Sequence, residues 1–375
     1  MKPKVVIAGF GDTGLLVAIN LSSRFDVVGI SAKPCLVSGQ ELGLRLTQPQ
    51  QWKRDYLVGF ERYKKLKDVR TIHGLITKID DKESTVTVEL ASGELHQEAY
   101  DVLVIAAGVS NGFWRTNSLQ SMVEVEQAIA STAQQLEQTR SLAVIGGGAT
   151  GVSAAVNFAR QYPEKKVDLF YSQQQPLPGY HPKVRQQVLD KLQALQVSLH
   201  PAHRAVMPEG FYGEHLTSMP IHWTTGQPAF SAELTLWAIG AVKPNNHFIP
   251  KAMLNAAGFV NTDSYLRVQG FNNVFAVGDI AASDVNRSSA RNGGFKLVAD
   301  NIKAHCFGRD EDMKVFQPAA YRWGSIFGNQ PEGLTVFSPQ GKGFRIPRYW
   351  VDKVLFPWVV QKQIYKGLYP LLVNN

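Results

Sequence analysis

Val5-Val6-Ile7-Ala8, Gly9-Phe10-Gly11-Asp12-Thr13-Gly14 and Leu15-Leu16-Val17-Ala18-Ile19-Asn20-Leu21 decide the fold of this chain. A continuous apolar, β-branched run is followed by Gly-x-Gly-x-x-Gly and then by an apolar helical stretch. A strand buried on both faces reads as such a run. The glycines permit a tight turn, close backbone approach to a pyrophosphate, and close packing of helix on strand. The helix start offers free N–H groups and the positive end of its dipole to phosphate oxygens.

A second copy begins at Leu142-Ala143-Val144-Ile145, passes through Gly146-Gly147-Gly148-Ala149-Thr150-Gly151, and continues into Val152-Ser153-Ala154-Ala155-Val156. Its next strand is Lys166 to Tyr171. One such motif alone is a weak signal, and glycines that serve only tight turns would explain it. Two complete strand–glycine turn–helix units predict two nucleotide-binding folds. Between them, Tyr100 to Ile105 is a buried-strand run ending in Ala106-Ala107-Gly108, and residues 70–98 alternate in strand fashion with a turn at Ser92-Gly93. Later, Leu234 to Gly240 and Asn273 to Asp279 are further strands, and a helix is expected from Gly294 to Cys306.

The chain has 375 residues, enough for two or three domains, with 44% hydrophobic and 19% charged residues. That composition excludes a disordered polyelectrolyte. No apolar run approaches the roughly 18 residues of a membrane span. The opening MKPKVVIAGFG runs straight into a strand, where a signal peptide would carry a longer apolar stretch; the expected compartment is the cytosol or a membrane surface facing it. The two cysteines, Cys35 and Cys306, form no CxxC or CxxxxC pair, so local disulfide chemistry is excluded. Nine scattered histidines include no HxH or HxxxH, and His73, His181, His200 and His203 read as surface or core residues, so no metal site is expected.

In this order of marks, GFGDTG at 9–14, VLVIAAG at 102–108, GGGATG at 146–151, LWAIG at 236–240 and VFAVGD at 274–279, the chain resembles the two-dinucleotide flavoprotein oxidoreductases over nearly its full length. It looks most like the apoptosis-inducing-factor-like and ferroptosis-suppressor-like branch, near the type II NADH dehydrogenases. The resemblance implies an α/β fold of two Rossmann-like domains, the second inserted in the first, plus a C-terminal α/β segment. It implies that Gly9, Gly11 and Gly14, with Asp12 and Thr13, hold the FAD pyrophosphate, and that Ser31 and Lys33 face the adenosine side. Gly278-Asp279 would meet the flavin's ribityl or pyrophosphate region, although a capping role for Asp279 is also open. Ala107-Gly108 would pass close to the cofactor or form a plain turn. Gly146, Gly148, Ala149, Thr150 and Gly151, with Tyr171, Ser172 and Gly240, would hold NADH or NADPH.

Three positions depart from the family pattern. Ser31 stands where an acid often binds the adenosine ribose, a difference on the order of 1 kcal/mol. The second fold's strand ends in Tyr171-Ser172-Gln173, again without a carboxylate, so repulsion of a 2′-phosphate is gone and the specificity leans towards NADPH. Ser153 replaces a glutamate that many relatives carry near the nicotinamide. No catalytic side chain is required, because in this class the flavin carries the chemistry. Lys296, on the expected helix beside the flavin, reads as a solvated helix lysine in preference to one that stabilises anionic reduced flavin.

Residues 342–375 carry six basic side chains and one acid, a net of +5 out of the chain's +8. Trp350-Val351, Val354-Leu355 and Trp358-Val359 recur at helical spacing, interrupted by Pro357, with Lys353, Lys362 and Lys366 between them. Two readings are open: a helix lying in an anionic membrane interface, or one that packs back on the FAD domain or forms a homodimer face. No nucleic-acid module accompanies the basic aromatics, so nucleic acid is not an expected partner. The expected organisation is an FAD domain of residues 1–112 and 242–312, an inserted NAD(P)H domain of 113–241, and a basic aromatic segment of 313–375. The expected function is an FAD-dependent NAD(P)H oxidoreductase that delivers two electrons to a quinone. A reductase of a small electron-carrier protein, or a weakly catalytic NAD(P)H sensor, is the alternative.

Overall fold

The computed structural model describes residues 2–111, 115–211, 213–240, 242–290 and 293–370. The expected boundaries at 112/113 and 241/242, and the last five residues of the expected tail, touch residues outside that set.

The first glycine motif lies where its flanking residues required. Strand Lys4–Ala8 leads into helix Asp12–Leu21. That strand is central in a seven-stranded sheet of order Val274–Ala276, Val102–Ile105, Lys4–Ala8, Asp26–Ser31, Arg70–Asp80, Thr85–Leu90, Leu95–Ala99. The first five strands run parallel, and the last two add antiparallel pairings at one edge. Val5 and Ile7 belong to one buried cluster and Val6 and Ala8 to another. Both faces of the strand are therefore covered, which explains a run of apolar residues without alternation.

The second motif joins strand Ser141–Ile145 to helix Ala149–Gln161. Its sheet has four parallel strands in the order Ser198–His200, Lys166–Phe170, Ser141–Ile145, Leu234–Trp237. Every strand of this sheet lies, in sequence, between strands Val102–Ile105 and Val274–Ala276 of the first. The two passages between the sheets run side by side, as Val109–Ser110 pairs antiparallel with Lys243–Pro244.

A short excursion of the first unit escapes sequence reading. Strands Cys35–Val37 and Leu57–Gly59 pair, with helices Leu42–Thr47 and Pro49–Tyr56 between them. Gly43 brings the first of these helices against Ala149–Gln161 of the second unit: a Cβ on Gly43 would sit 2.5 Å from Asn157 Nδ2 and 2.6 Å from Ser153 O and Oγ.

The C-terminal segment touches both units. Strands Asn329–Gln330, Gly333–Phe337 and Gly343–Ile346 form a small antiparallel sheet. Asn157 donates to Phe327 O at 2.8 Å, Gln330 Nε2 donates to Asn157 Oδ1 at 3.1 Å, and Glu332 pairs with Arg160 and Lys191. The tail helix, Val351–Ile364, is a wide-turned π-helix containing Pro357. Proline lacks the N–H that a regular turn would need and its ring crowds the carbonyl four residues earlier, so the i→i−4 ladder is interrupted at Pro357. The tail packs back on the first unit through Phe356 on Tyr56 and Tyr365 on Tyr63, with ring centroids 5.8 and 5.2 Å apart. Its outer side keeps Trp350 and Trp358 more than half exposed. Among the described residues no helix is long and apolar enough to cross a membrane.

Candidate functional site

The first glycine turn opens onto a cavity of about 710 Å³. Gly9 has φ +103°, and a Cβ there would lie 2.6 Å from the backbone of Ala106 and Ala107. Gly11 has nothing within 4 Å of an added Cβ, so its open side belongs to the cavity. Gly14 lies one turn into the helix and lines no wall; a Cβ would collide with Gly9 O, and its absence lets helix and turn close up. Thr13, Ser31, Ala107, Gly108, Gly278 and Asp279 also line the cavity. Asp12 lines it too, yet its carboxylate is taken, accepting from Ser38 Oγ at 2.7 Å and from Gly39 N at 2.8 Å. Lys33 lines it with its ammonium donating to Ser118 O. Burial pulls Lys33 down to about 8 against the opposing pull of Cys35 and Glu124.

The second turn borders a smaller cavity of about 240 Å³, lined by Gly148, Ala149, Thr150 and Gly240. Gly146 (φ +127°) and Gly151 line neither cavity: a Cβ on the first would strike Ala238 O, and one on the second Gly146 O. Tyr171 is buried behind the turn, its Cβ 2.6 Å from where a Cβ on Gly147 would stand. Ser172 is exposed, and both it and Tyr171 stand outside the two cavities. Ser153, buried, lines the larger cavity. Lys296 is exposed.

The two cavities share a wall. Gly39, Leu42, Arg115, Ala149, Thr150 and Asp279 line both. Arg115, which sequence reading passed over, donates to Asp279 Oδ2 at 2.5 Å. Burial works against the Arg115 charge, and Asp279 more than reverses that, so its pKa stands above the ordinary arginine value. Asn245 was also missed; it donates to Ala107 O at 2.8 Å and accepts from Ser110 Oγ at 2.6 Å, which fixes the strip beside Gly108. Neither residue belongs to a local motif, so only the return of a distant segment reveals them.

These features fit a dinucleotide pair. Glycine floors let a phosphate approach the backbone, one helix N-terminus borders the larger cavity and another stands at the wall the two cavities share. The model for the pyridine nucleotide-disulphide oxidoreductases matches residues 3–303. The chain belongs to this family. It is an oxidoreductase whose cofactors are FAD and a nicotinamide dinucleotide. It is 26% identical over 363 residues to apoptosis-inducing factor homolog B of Dictyostelium discoideum, covering 90% of each chain. It is 28% identical over 217 residues to human ferroptosis suppressor protein 1, covering 56% of each. The expected branch is thereby borne out. Among solved structures, the sulfide:quinone oxidoreductase of Aquifex aeolicus superposes with a TM-score of 0.68 at 17% identity, covering 93% of this chain and 88% of that one. The family's name notwithstanding, both cysteines are free, and burial pushes Cys35 up to about 12 and Cys306 up to about 11. Neither supplies a thiolate near neutral pH.

Proposed function

We propose that this protein is an FAD-dependent NAD(P)H:quinone oxidoreductase. One observation carries the reading: the larger cavity continues from the glycine turn past Trp323 and Ile326 to Val360, Ile364 and Tyr365 of the tail. That end is apolar and suits a hydrophobic ring better than a charged carrier. FAD supplies the two-electron chemistry between nicotinamide and acceptor. Residues 1–112 and 242–312 bind FAD, with Gly9, Gly11 and Thr13 at its pyrophosphate, Ser31 and Lys33 at the adenosine side, and Asp279 at its sugar hydroxyls. Residues 113–241 bind the nicotinamide dinucleotide over Gly148, Ala149, Thr150 and Gly240, which orients it towards the shared wall. The sheet membership of the strands supports this division.

The tail adds a docking role at an anionic membrane surface. Exposed Phe344, Tyr349, Trp350 and Trp358 stand among Arg345, Arg348, Lys353 and Lys362, and Val360 and Ile364 of helix Val351–Ile364 line the cavity. Aromatic and basic side chains together are the composition of an interfacial segment. A lipid-soluble acceptor would then reach the cavity without crossing water.

The test is anaerobic stopped-flow of the FAD-loaded protein with NADH and with NADPH, followed by a short-chain quinone. The reading expects flavin bleaching by at least one nucleotide and recolouring on quinone. Bleaching that only a protein carrier reverses would transfer the assignment to a carrier reductase. No bleaching by either nucleotide would reduce the protein to a cofactor-bound sensor.

A further inference from the structure

Glu41 is a further carboxyl group in the wall of the larger cavity. It precedes helix Leu42–Thr47 with a left-handed backbone, φ +53° and ψ +40°, a conformation that costs a non-glycine residue about 1 kcal/mol or more. Its neighbours Gly39 and Leu42 line both cavities. The carboxylate reaches across to the C-terminal segment, where Oε2 accepts the Asn329 backbone N–H at 2.9 Å. A Cβ on Gly328 would collide with that oxygen, so this glycine leaves room for the carboxylate. Among the described residues no cation pairs with Glu41. Arg160 and Lys191 on the neighbouring helices are engaged by Glu332, Arg115 by Asp279, and Arg45 lies over the Trp52 ring at 5.6 Å. Asp12, Tyr56 and Tyr365 are the other titratable groups nearby.

Burial without a counter-charge raises the Glu41 carboxyl to about 7, partly offset by the Asn329 N–H. A general acid works best when its pKa lies near the working pH. Other groups around this end do not qualify: burial raises both Tyr56 and Tyr365, and Cys35 stands at about 12. His247 is exposed and sits beside Phe248, whose carbonyl accepts from Ile79 N, at the Gly74–Ile76 end of the cavity. Ser153 lies on the facing helix, where Gly43 touches it, and offers only a hydroxyl.

We propose that Glu41 is the proton donor for the electron acceptor at the apolar end of the cavity. This rests on the quinone reading. Reduction of a quinone by NAD(P)H moves two electrons and forms two O–H bonds; one hydrogen arrives with the hydride and one proton must be supplied. The Glu41 O–H breaks, an O–H forms on the acceptor, and the carboxylate recovers its proton from water. NAD(P)H is the reductant and the quinone the oxidant, so no further reagent is needed.

The test compares wild type, Glu41→Gln and Glu41→Asp, each loaded with FAD, on two acceptors across pH. A short-chain ubiquinone takes up protons, whereas ferricyanide takes only electrons. Glu41→Gln, isosteric and able to keep the Asn329 contact, is expected to lower quinone kcat at least tenfold while ferricyanide kcat stays within twofold. In wild type, quinone kcat falls as pH rises through about 7. That limb vanishes in Glu41→Gln and persists, displaced, in Glu41→Asp. An infrared titration without turnover expects a protonated-carboxyl band that disappears on crossing the same pH and is missing from Glu41→Gln. Equal loss on both acceptors, a limb that survives in Glu41→Gln, or no such band in wild type overturns the proton-donor role. A wild type that reduces ferricyanide but no quinone overturns the quinone reading itself, and Glu41's role with it.

Discussion

Arg115 and Asp279, separated by 164 residues in the chain, are joined by a 2.5 Å charge-assisted hydrogen bond at the wall shared by the two cavities. Each side chain is about one-third exposed, so the pair has a price in desolvation and is partly screened. Asp279→Asn removes the charge while keeping the shape. The expected result is a loss of FAD affinity of about 1–3 kcal/mol, five- to 150-fold, read by flavin fluorescence titration. A double-mutant cycle with Arg115→Met should return a coupling of about 1 kcal/mol in the flavin-free protein. Strict additivity would mean that the two side chains act independently.

The glycines of the turns divide into those that permit the fold and those that leave room for a ligand. Gly9→Ala places a Cβ 2.6 Å from the Ala106 and Ala107 backbone at φ +103°, and should destabilise the protein by more than about 2 kcal/mol. Gly148→Ala meets nothing within 4 Å at φ −76°, so its thermal midpoint should stay within a degree or so of wild type, roughly the effect of a neutral surface change. Its NAD(P)H affinity should nevertheless fall, because the methyl group projects into the smaller cavity. Thermal melts beside nucleotide titrations separate the two effects.

Gly43 is the tightest point of an interface, shared with Leu42 and Leu46, through which the excursion of the first unit meets the second. Gly43→Ala drives a Cβ into Asn157 Nδ2 and Ser153, and overpacking of this kind costs about 1–3 kcal/mol. The denaturation midpoint should fall accordingly. Unchanged stability would show that helix Leu42–Thr47 is free to lift away.

Two carboxylates make the fold acid-sensitive. Burial alone would raise Glu98, but hydrogen bonds from Arg70, His96 and Lys4 prevail and hold it at about 2; Arg160 and Lys191 do the same for Glu332. A folded-state pKa below the unfolded value contributes stability that is fully present above the unfolded pKa and is lost as pH falls through the folded one. For both groups that window runs from about 4.5 down to about 2. With partial screening by exposed partners, each contributes on the order of 2 kcal/mol. Glu98→Gln should flatten the loss of stability across this window in acid titrations, with lower stability at neutral pH.

At the tail, Trp350→Ala with Trp358→Ala should abolish co-sedimentation with anionic vesicles and leave turnover of a water-soluble quinone intact. Exchanging Arg345, Lys353 and Lys362 for glutamine should reduce binding mainly at low salt, since exposed charges are screened within about 8–10 Å at physiological ionic strength. Retention of binding by the tryptophan variant would mean that this helix does not enter the interface.

Much of this molecule was legible because its information is local. A buried parallel strand must be a continuous apolar run and a phosphate turn must be glycine-rich, so Val5 to Gly14 and Leu142 to Gly151 declared themselves, and the helix from Gly294 to Cys306 lies where it was expected. Residues whose role depends on side-chain direction were harder. Tyr171 ends the expected strand, yet the packing of Gly147 on its Cβ turns it away from the smaller cavity. The tail's 3.6-residue stripe became a π-helix containing Pro357, a proline that interrupts the regular hydrogen-bond ladder and so blurs that period.

The sequence alone determined the two glycine turns, the parallel strands beside them and the kind of cofactor the family carries, since backbone sterics and strand burial are obeyed wherever the chain runs. Only the tertiary structure decided which distant side chains meet at the shared wall. Arg115 reaches Asp279 because the chain returns to the first sheet after completing the second. Glu41 reaches Asn329 because Gly43 and Gly328 permit close approach, and its raised pKa follows from burial without a cation. Charge, burial and proton affinity at a site are properties of assembled neighbours, and no single stretch of sequence contains them.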